Sequence, residues 1–327
     1  MVTLEQIQKP IESDLRLFDS FVGEQFKCDD DVLAPMLRDA LSSRGKGVRP
    51  LLVMLSAGLN SKAGVVSRRA WVAALMVEMI HLASLIHDDV IDESPMRRGK
   101  PSLNALWQSK RAVLTGDYIL GRSLSIALSS GQYDIVTHIT RAISILCEGE
   151  LLQDDLARKL TMTREGYLQI ISKKTASLLA ISASAGALAA GASPIEVDRM
   201  RSFGEAIGMA FQIQDDILDY SPNAQSGKPV NNDIREGKIT LPLLAVMERA
   251  PEREREEILK KLASAHEDEG MVEYLQQRVE EGGGVEFARQ VMQAYLEKAT
   301  KILADYPESE FRSALINLAL FITERNK

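Results

Sequence analysis

Residues 71–98 read WVAALMVEMIHLASLIHDDVIDESPMRR, and this stretch decides how the whole chain is interpreted. Its first half is apolar around the full circumference of a helix, which predicts a buried helix. Three aspartates follow near the end of that helix: Asp88, Asp89 and Asp92. Pro95 disfavours helical backbone at the residue before it, so the helix should stop there. Because a helix C-terminus is the negative end of the helix dipole, carboxylates are unfavourable there unless a cation binds.

The composition of the whole chain narrows the class of protein. Its 327 residues are 45% hydrophobic and 26% charged, which is typical of a globular protein with a sizeable core. A net charge of −7 argues against a nucleic-acid binder, which is usually basic. Cys28 and Cys147 lie far apart in sequence, which favours a reducing compartment over a disulfide framework or a zinc site. Charged or polar residues interrupt every apolar run, and the N-terminal residues lack a targeting pattern, so we expect a cytoplasmic protein without a transmembrane segment.

The pattern along the chain predicts an all-α fold. Prolines lie at the edges of periodic segments, and β-branched alternation bounded by tight turns is missing from the sequence. Helices are predicted over about 3–21, 30–42, 65–92, 109–130, 133–158, 164–191 and 194–220, with another following Pro50. The last part of the chain, about 252–325, is charged and amphipathic, which favours solvated outer helices. Since no linker divides the sequence, we predict one domain over 1–327.

One repetition links two distant parts of the chain. The motif Asp88-Asp-Val-Ile-Asp92 recurs as Asp215-Asp-Ile-Leu-Asp219, 127 residues later. Each copy follows an apolar helix, and each is followed shortly by Ser-Pro. A single copy could equally be a solvated acidic helix end, but two matched copies favour two walls of one cavity.

The spacing within each motif predicts a metal site. The first and last aspartates are four residues apart, so on a helix they are offset by about 40° and both face one way. The middle aspartate lies roughly 100° around the helix, where it can support the other two. Carboxylate oxygens without neighbouring cysteines suit a hard cation, and Mg²⁺ bound in this way leaves positions for water and phosphate oxygens.

Basic residues near the two motifs predict binding of phosphate groups. They comprise Lys46, Arg49, Arg97, Arg98, Lys173, Lys174, Lys228 and Lys238. Each alone is more often a surface charge, but together with six aspartates they suit two polyphosphate groups, one bridged by metal and one held directly. The two Gly-Lys segments do not have the Walker A form, so ATP chemistry is not indicated.

Five segments, in order, resemble the signature segments of the trans-isoprenyl diphosphate synthase family. They are GKGVRP (45–50), HLASLIHDDVIDESPMRRGKP (81–101), KKTASLL (173–179), FQIQDDILD (211–219) and GKPVNNDIREGKITLPLL (227–244). The match covers about 40–245, and the pattern is most similar to the polyprenyl branch, with octaprenyl-like and related medium- or long-chain synthases.

The resemblance implies an activity, a fold and a metal site. The activity is condensation of isopentenyl diphosphate with an allylic diphosphate (geranyl, farnesyl or geranylgeranyl), with release of diphosphate. The fold is a single bundle of many helices around a central active-site cavity, usually as a homodimer. The expected Mg²⁺ ligands, for three ions per site, are Asp88, Asp92 and Asp215, supported by Asp89, Asp216 and Asp219.

The resemblance also assigns residues to the two substrates. Those expected to hold the allylic diphosphate are Arg97, Lys174, Thr175, Gln212, Lys228 and Lys238, with Lys174 also expected to be catalytic. Those expected to hold isopentenyl diphosphate are Lys46, Arg49, His81 and Arg98. Without the family pattern, His81 would be interpreted as a core histidine.

Product length has one indicator in the sequence. Ala83 and Ser84 lie about one helical turn before Asp88, and both are small. In this family, bulky aromatic residues there resemble the pattern that stops at farnesyl, so we predict a longer product. The alternative is that small residues only permit close helix packing. Candidates for the floor of the tunnel are Leu120, Leu124 and Leu128.

Asn231 departs from the family pattern, because many relatives have Gly at this position. Asn tolerates positive φ better than most residues, so the loop is expected to keep its conformation. Three rival interpretations remain: a terpene cyclase of related fold, a subunit of a heteromeric prenyl synthase, and a helical scaffold protein. The cyclase and subunit classes often lack one intact aspartate motif, whereas this chain retains both.

Overall fold

The computed structural model describes residues 2–159, 161–220 and 231–323, and their regular structure is almost entirely helical. The helices of the first part are α1 (Leu4–Gln8), α2 (Glu12–Gln25), α3 (Leu33–Ser42), α4 (Val48–Asn60), α5 (Arg68–Ile91), α6 (Leu103–Trp107), α7 (Ser109–Ser129) and α8 (Tyr133–Lys159). Those that follow are α9 (Arg164–Ile171), α10 (Ser177–Ala189), α11 (Pro194–Asp219), α12 (Asn232–Arg235), α13 (Leu241–Arg249), α14 (Glu252–Ala263), α15 (Glu269–Glu281), α16 (Gly284–Ala304) and α17 (Glu310–Thr323).

Two predicted helices are divided in the structure. The first predicted helix is α1 and α2, joined by a 3₁₀ segment at Lys9–Ile11, where Pro10 cannot donate a backbone hydrogen bond. The predicted helix over 164–191 is α9 and α10, separated by a π-helical segment at Ser172–Ala176. The prediction that Pro50 opens a helix was also two residues late, because α4 begins at Val48.

The backbone divides the chain into two compact units. The first comprises the described residues of 1–143, 178–201 and 306–317. The second comprises those of 144–177, 202–305 and 318–327. The first aspartate motif belongs to the first unit, and the second motif to the second unit. The single domain over 1–327 stays a prediction.

Helix α5 is the centre of the first unit, where it packs against α4 and α7. It is long and apolar enough to cross a membrane, but 72% of its apolar window is buried, as expected for the core helix of a folded protein. On α7, Gly116 allows close packing, since a Cβ there would lie 2.4 Å from Nε2 of His87. The end of α5, which carries the first motif, is therefore fixed by tight packing against α7.

The core of the second unit is built on α11, α13, α15 and α16. Buried side chains from these helices form one cluster, which includes Ile213, Leu244, Leu275 and Met292. The second motif lies in the last two turns of α11. Ile217 within the motif and Tyr220 just after it are buried in this cluster. The second motif thus continues from a helix that is anchored in the core.

Candidate active site

The first motif occupies the last turn of α5. Asp88 and Asp89 lie within the helix, and Asp92 is its C-cap, with its backbone N–H donating to the Asp88 carbonyl at 2.8 Å. Asp89 is only 3% exposed, whereas Asp88 is partly exposed and Asp92 is exposed. The outer two carboxylates are accessible to a ligand, and the middle one is built into the protein.

Asp89 is held by Arg97. The Arg97 Nε donates to Oδ1 of Asp89 at 2.9 Å, and Nη2 of the same guanidinium donates to the same oxygen. Arg97 lies in a short antiparallel ribbon of β1 (Met96–Arg97) and β2 (Lys100–Pro101). Asp89 therefore orients one of the residues that is predicted to hold the allylic diphosphate.

The ribbon also places Arg98 against the loop before α4. Arg98 adopts φ 52°, an uncommon conformation for a residue with a side chain, and Gly99 follows at φ 75°. The Arg98 guanidinium donates to the Ser43 carbonyl at 2.7 Å. It lies so close to Gly45 that a Cβ there would be 2.6 Å from Nη1. Arg98 is thus brought to the loop that carries Lys46 and leads to Arg49 at the start of α4, two other predicted ligands of isopentenyl diphosphate.

A buried carboxylate lies beneath this basic cluster. Glu78 is 6% exposed, and burial raises its pKa, while the charges of Arg49, Arg44 and Arg98 oppose that rise. Burial lowers the pKa of Arg49 to about 10, against the opposing effect of Glu78. The Nε of Arg49 is buried without a hydrogen-bond partner, although the residue as a whole is partly exposed. The cluster thus contains a guanidinium of which one buried donor is not used by the protein.

His81 is neutral beside these cations. Burial lowers the pKa of His81 well below its ordinary value, and the charges of Arg49, Arg98 and Arg97 lower it further. A neutral imidazole can donate one hydrogen bond without adding positive charge to the cluster. His81, Arg49 and Arg98 are therefore brought together, in an arrangement that suits a polyanion such as diphosphate.

The second motif is anchored through its middle residue, Asp216, which is 5% exposed. The Tyr167 hydroxyl donates to Oδ2 of Asp216 at 2.6 Å, and the Gln212 amide donates to Oδ1 at 2.9 Å. Burial and the charge of Asp233 raise the pKa of Asp216 to about 8. Asp215, the predicted metal ligand, is only partly buried.

Thr175 extends this network through Gln212, whereas Lys174 next to it has other partners. The Thr175 hydroxyl donates to Oε1 of Gln212 at 2.7 Å. Lys174, beside it in the π-helical segment, donates to Oε1 of Glu150 at 3.0 Å and to Gln153 at 3.3 Å. π-helical segments are rare and are frequently found at functional sites. Thr175 and Gln212 are thus brought to the second motif.

The last aspartate of the second motif caps α12. The two carboxylate oxygens of Asp219 accept the backbone N–H groups of Asn232 and Asp233, each at 3.0 Å. Its carbonyl accepts the N–H of Asn231 at 2.8 Å. Asn231 adopts φ 63°, as its tolerance for positive φ predicted. Asp219 therefore fixes the start of α12, which precedes Lys238 in the chain.

The structure describes Lys238, one of the two lysines after the second motif that are predicted to hold the allylic diphosphate. Lys238 is exposed, forms an ion pair with Glu236, and donates its backbone N–H to the Asp233 carbonyl at 2.8 Å. Lys228 lies outside the described residues. Asp233 connects Asp219 and Lys238, because its N–H donates to Asp219 and its carbonyl accepts from Lys238.

A family model described as polyprenyl synthetase matches residues 21–279. The chain belongs to the polyprenyl synthetase family. It is 37% identical over 290 residues to a short chain isoprenyl diphosphate synthase of Methanothermobacter thermautotrophicus, with 87% of this chain and 88% of that protein covered. It is 32% identical to the octaprenyl diphosphate synthase of Escherichia coli, over 100% of both chains. A crystal structure of a polyprenyl synthase from Caulobacter crescentus, complexed with calcium and isoprenyl diphosphate, is similar with a TM-score of 0.89 and 30% identity, covering 99% of this chain and 98% of that one.

This polyprenyl synthetase is a trans-prenyl diphosphate synthase, a prenyltransferase whose substrates are isoprenyl diphosphates. The predicted all-α fold of the isoprenoid synthase type is confirmed. The family uses divalent metal ions. Names of the relatives range from short chain to nonaprenyl, so family membership leaves the length of the product open.

The donor atoms in the two motifs of this polyprenyl synthetase fit a hard divalent cation. Asp88, Asp92 and Asp215 offer carboxylate oxygens that are at least partly exposed, the donors that Mg²⁺ prefers. Among the residues that the structure describes, no three His, Cys, Asp or Glu side chains form a metal site by themselves. The predicted arrangement needs fewer protein ligands, since water and diphosphate oxygens would complete each coordination shell.

The predicted length-determining residues of this polyprenyl synthetase lie in α5. Ala83 is 2% exposed, and Ser84 donates its hydroxyl to the His81 carbonyl at 2.9 Å. Helix α7, predicted as a facing helix, packs against α5. Of the three candidate floor residues on α7, Leu120 and Leu124 are partly buried and Leu128 is 44% exposed. Leu120 and Leu124 are therefore the better candidates.

Two residues of these sites, Glu78 and Tyr167, were not predicted from the sequence. Glu78 is the one charged residue within the apolar part of α5, three positions before His81, so its isolation and spacing could have drawn attention to it. Tyr167 had no such signal, because a tyrosine in a helix is ordinary core composition. Its contact with Asp216 joins residues 49 positions apart.

Proposed function

We propose that this prenyltransferase condenses isopentenyl diphosphate with an allylic diphosphate, 1′ to 4, and forms a trans-polyprenyl diphosphate longer than farnesyl. The observation that carries this proposal is the chemistry beside the first motif. The partly exposed Asp88 and the exposed Asp92 lie at the end of α5, while the charges of Arg49 and Arg98 act on neutral His81 in the same unit. A metal-bound diphosphate suits the carboxylates, and a diphosphate held directly suits the basic cluster.

The reaction needs stabilisation of a leaving diphosphate. Mg²⁺ ions, three per site, held by Asp88, Asp92 and Asp215, would supply Lewis-acid stabilisation of that charge. Cationic, hydroxyl and amide groups would hold the remaining oxygens: Arg97, Lys174, Thr175, Gln212, Lys228 and Lys238. Such preorganised donors act where negative charge develops, which is their largest contribution to rate.

The bond changes then follow in order. The C1–O bond of the allylic diphosphate breaks, and the electron pair of the isopentenyl double bond forms a new bond from C4 to C1. Loss of a proton from C2 restores an allylic double bond, and the released diphosphate takes that proton. Lys46, Arg49, His81 and Arg98 would hold isopentenyl diphosphate in position. Apolar residues of α5 would exclude water, which otherwise captures the cation.

The length of the product follows from the small residues of α5. Ala83 and Ser84 lie one turn before Asp88, so the growing chain would pass them as it extends away from the diphosphate. Neither side chain is large enough to stop it at the farnesyl length. The alternative is that they serve only the close packing of α5 against α7.

We also propose that the enzyme is a cytoplasmic homodimer. Several apolar side chains of α7 and the start of α8 are exposed in the single chain: Leu114 (57%), Tyr118 (37%), Leu128 (44%) and Tyr133 (65%). A surface of this kind supports association with a second copy. Light scattering on the purified protein measures its mass in solution, and a mass of 36.1 kDa would contradict the dimer.

One assay tests the proposed reaction. The purified protein is incubated with Mg²⁺, farnesyl or geranylgeranyl diphosphate, and labelled isopentenyl diphosphate, and the products are sized by chromatography. Products longer than farnesyl support the proposal. The absence of elongation by the protein alone would indicate a subunit of a heteromeric synthase, and cyclic hydrocarbons would indicate a cyclase.

Two variants test the metal ligands in the same assay. Asp88→Ala and Asp215→Ala should each abolish turnover while circular dichroism shows unchanged helicity. Asp198→Ala is the matched control, because Asp198 is a helical surface aspartate that pairs with Arg201. Near-normal activity of either motif variant would reject the proposed metal ligation.

A further inference from the structure

We infer that Tyr167 is a positioning residue for the second aspartate motif, since it holds Asp216 so that the neighbouring Asp215 is correctly directed. The inference rests on the proposed function. Tyr167 lies in α9 and is 3% exposed, and its hydroxyl donates to Oδ2 of Asp216 at 2.6 Å. A tyrosine has one polar atom, and this bond uses its one proton.

The other oxygen of Asp216 is held just as directly. Gln212, one turn earlier in α11, donates its amide to Oδ1 at 2.9 Å. Its own carbonyl oxygen accepts the Thr175 hydroxyl at 2.7 Å. The hydrogen bonds thus run from Thr175 through Gln212 to Asp216, and Tyr167 closes the series from the other side. Both carboxylate oxygens of Asp216 are therefore engaged by donors of the protein.

These bonds tie two segments of the second unit together. Tyr167 precedes the π-helical segment, and Thr175 lies within it, so the stretch is attached to α11 on both sides of Lys174. On α11, the attachment points lie one residue and three residues from Asp215. A small rotation of that helix turn would redirect the Asp215 carboxylate, and such misplacement is costly in catalysis.

The tyrosine ring is itself rigidly placed. Tyr167 belongs to the buried cluster that contains Ile171, Met209 and Ile213. A packed aromatic ring has few rotamers, so its hydroxyl is held at a fixed point. Removing the hydroxyl and keeping the ring therefore changes one hydrogen bond with little change in packing.

The test is the variant Tyr167→Phe, compared with wild type in kinetics and in binding. We expect kcat to fall about ten-fold, since the lost bond to a carboxylate corresponds to roughly that factor. The Mg²⁺ concentration for half-maximal rate should rise several-fold, because Asp215 is less well directed. The KM for isopentenyl diphosphate should stay within about two-fold, because its predicted ligands belong to the first unit, whereas Tyr167 and Asp216 belong to the second.

A second readout does not depend on turnover. Calorimetry with Mg²⁺ and inorganic diphosphate should show weaker binding to Tyr167→Phe than to wild type. If wild type binds them but makes no product, the proposed function fails while this comparison still tests Tyr167. The matched control is Tyr274→Phe, which removes a hydroxyl elsewhere in the second unit, where the ring contacts Lys261. It should match wild type in every measurement.

A double variant shows whether Tyr167 acts through Asp216. In the Asp216→Asn background, the further change Tyr167→Phe should cost much less than in wild type, because the carboxylate that it holds is already altered. This background also removes the buried carboxyl group that loses its tyrosine partner in the single variant, which protects the test if that variant folds poorly. The inference is overturned by a lower Tm with unchanged Mg²⁺ dependence and diphosphate binding, or by equal fold losses in both backgrounds.

Discussion

Replacing Asp219 by Ala should destabilise the fold and loosen the start of α12. Its two carboxylate oxygens accept the N–H groups of Asn232 and Asp233 at 3.0 Å each, so the substitution leaves two backbone donors at the start of α12 without their partner. Loss of such a cap typically costs about 1 kcal/mol, and loss of a negative charge at a helix N-terminus adds about 0.3–1 kcal/mol. We therefore expect the free energy of unfolding to fall by about 1–2 kcal/mol.

Urea unfolding measures this loss, and hydrogen exchange locates it. The amides of Asn232 and Asp233 should exchange faster in Asp219→Ala, because exchange no longer requires their hydrogen bonds to Asp219 to be broken. Asp219→Asn should be intermediate, since its side chain keeps one acceptor oxygen. Asp215→Ala is the contrasting variant: Asp215 is predicted to bind metal, so turnover should be lost while stability changes by less than about 0.5 kcal/mol.

One pattern of results would refute this reasoning. If Asp219→Ala loses activity while its stability and the exchange of both amides stay at wild-type values, Asp219 acts on the substrate or the metal and not as a cap. If Asp215→Ala is destabilised as much as Asp219→Ala, the two residues cannot be separated into a ligand and a cap.

Three further predictions concern buried charge and product length. Burial lowers the pKa of His81, so the unfolded chain binds the extra proton below about pH 6.5 and stability falls as the pH decreases. His81→Gln should reduce that loss between pH 6.5 and 5.5, by up to about 1.4 kcal/mol per pH unit in urea unfolding. Burial raises the pKa of Asp216 to about 8, so the folded protein binds more protons between about pH 4 and 8 and stability falls as the pH rises through that window. Asp216→Asn should flatten this fall by on the order of 1–3 kcal/mol, and an unchanged pH profile would contradict the buried carboxylate. Replacing Ala83 and Ser84 by Phe should shorten the product seen by chromatography, and an unchanged product would reject the tunnel along α5.

Much of the fold was predictable because its signals are local. The apolar circumference of α5 and the repeated aspartate motif are visible within single helices, and both are found as predicted. Asn231 is another local case, because its tolerance for positive φ matches the φ of 63° in the structure. The merged first helix is the counterexample, since the pattern alone did not reveal the interruption at Pro10.

The remaining features depend on partners that are distant in sequence. The contact of Tyr167 with Asp216 has no local pattern, and neither does the capping of α12 by Asp219. The π-helical segment shifts the register of the helix that follows, but α10 is buried on nearly all sides, so its apolar pattern does not reveal the shift. The charge of Glu78 was visible, but its place beneath Arg49 follows only from the packing of α4 on α5.

The two motifs share the pattern Asp-Asp-x-x-Asp, but their aspartates have different surroundings. In each, the middle aspartate is buried and held by a protein donor: Asp89 by Arg97, and Asp216 by Tyr167 and Gln212. The last aspartates differ, because Asp92 is exposed whereas both oxygens of Asp219 accept backbone N–H groups. Each oxygen of Asp219 already accepts one backbone hydrogen bond, which reduces the acceptor capacity that it could offer a cation. The assignment of Asp88, Asp92 and Asp215 as metal ligands, with Asp219 in support, stays a prediction.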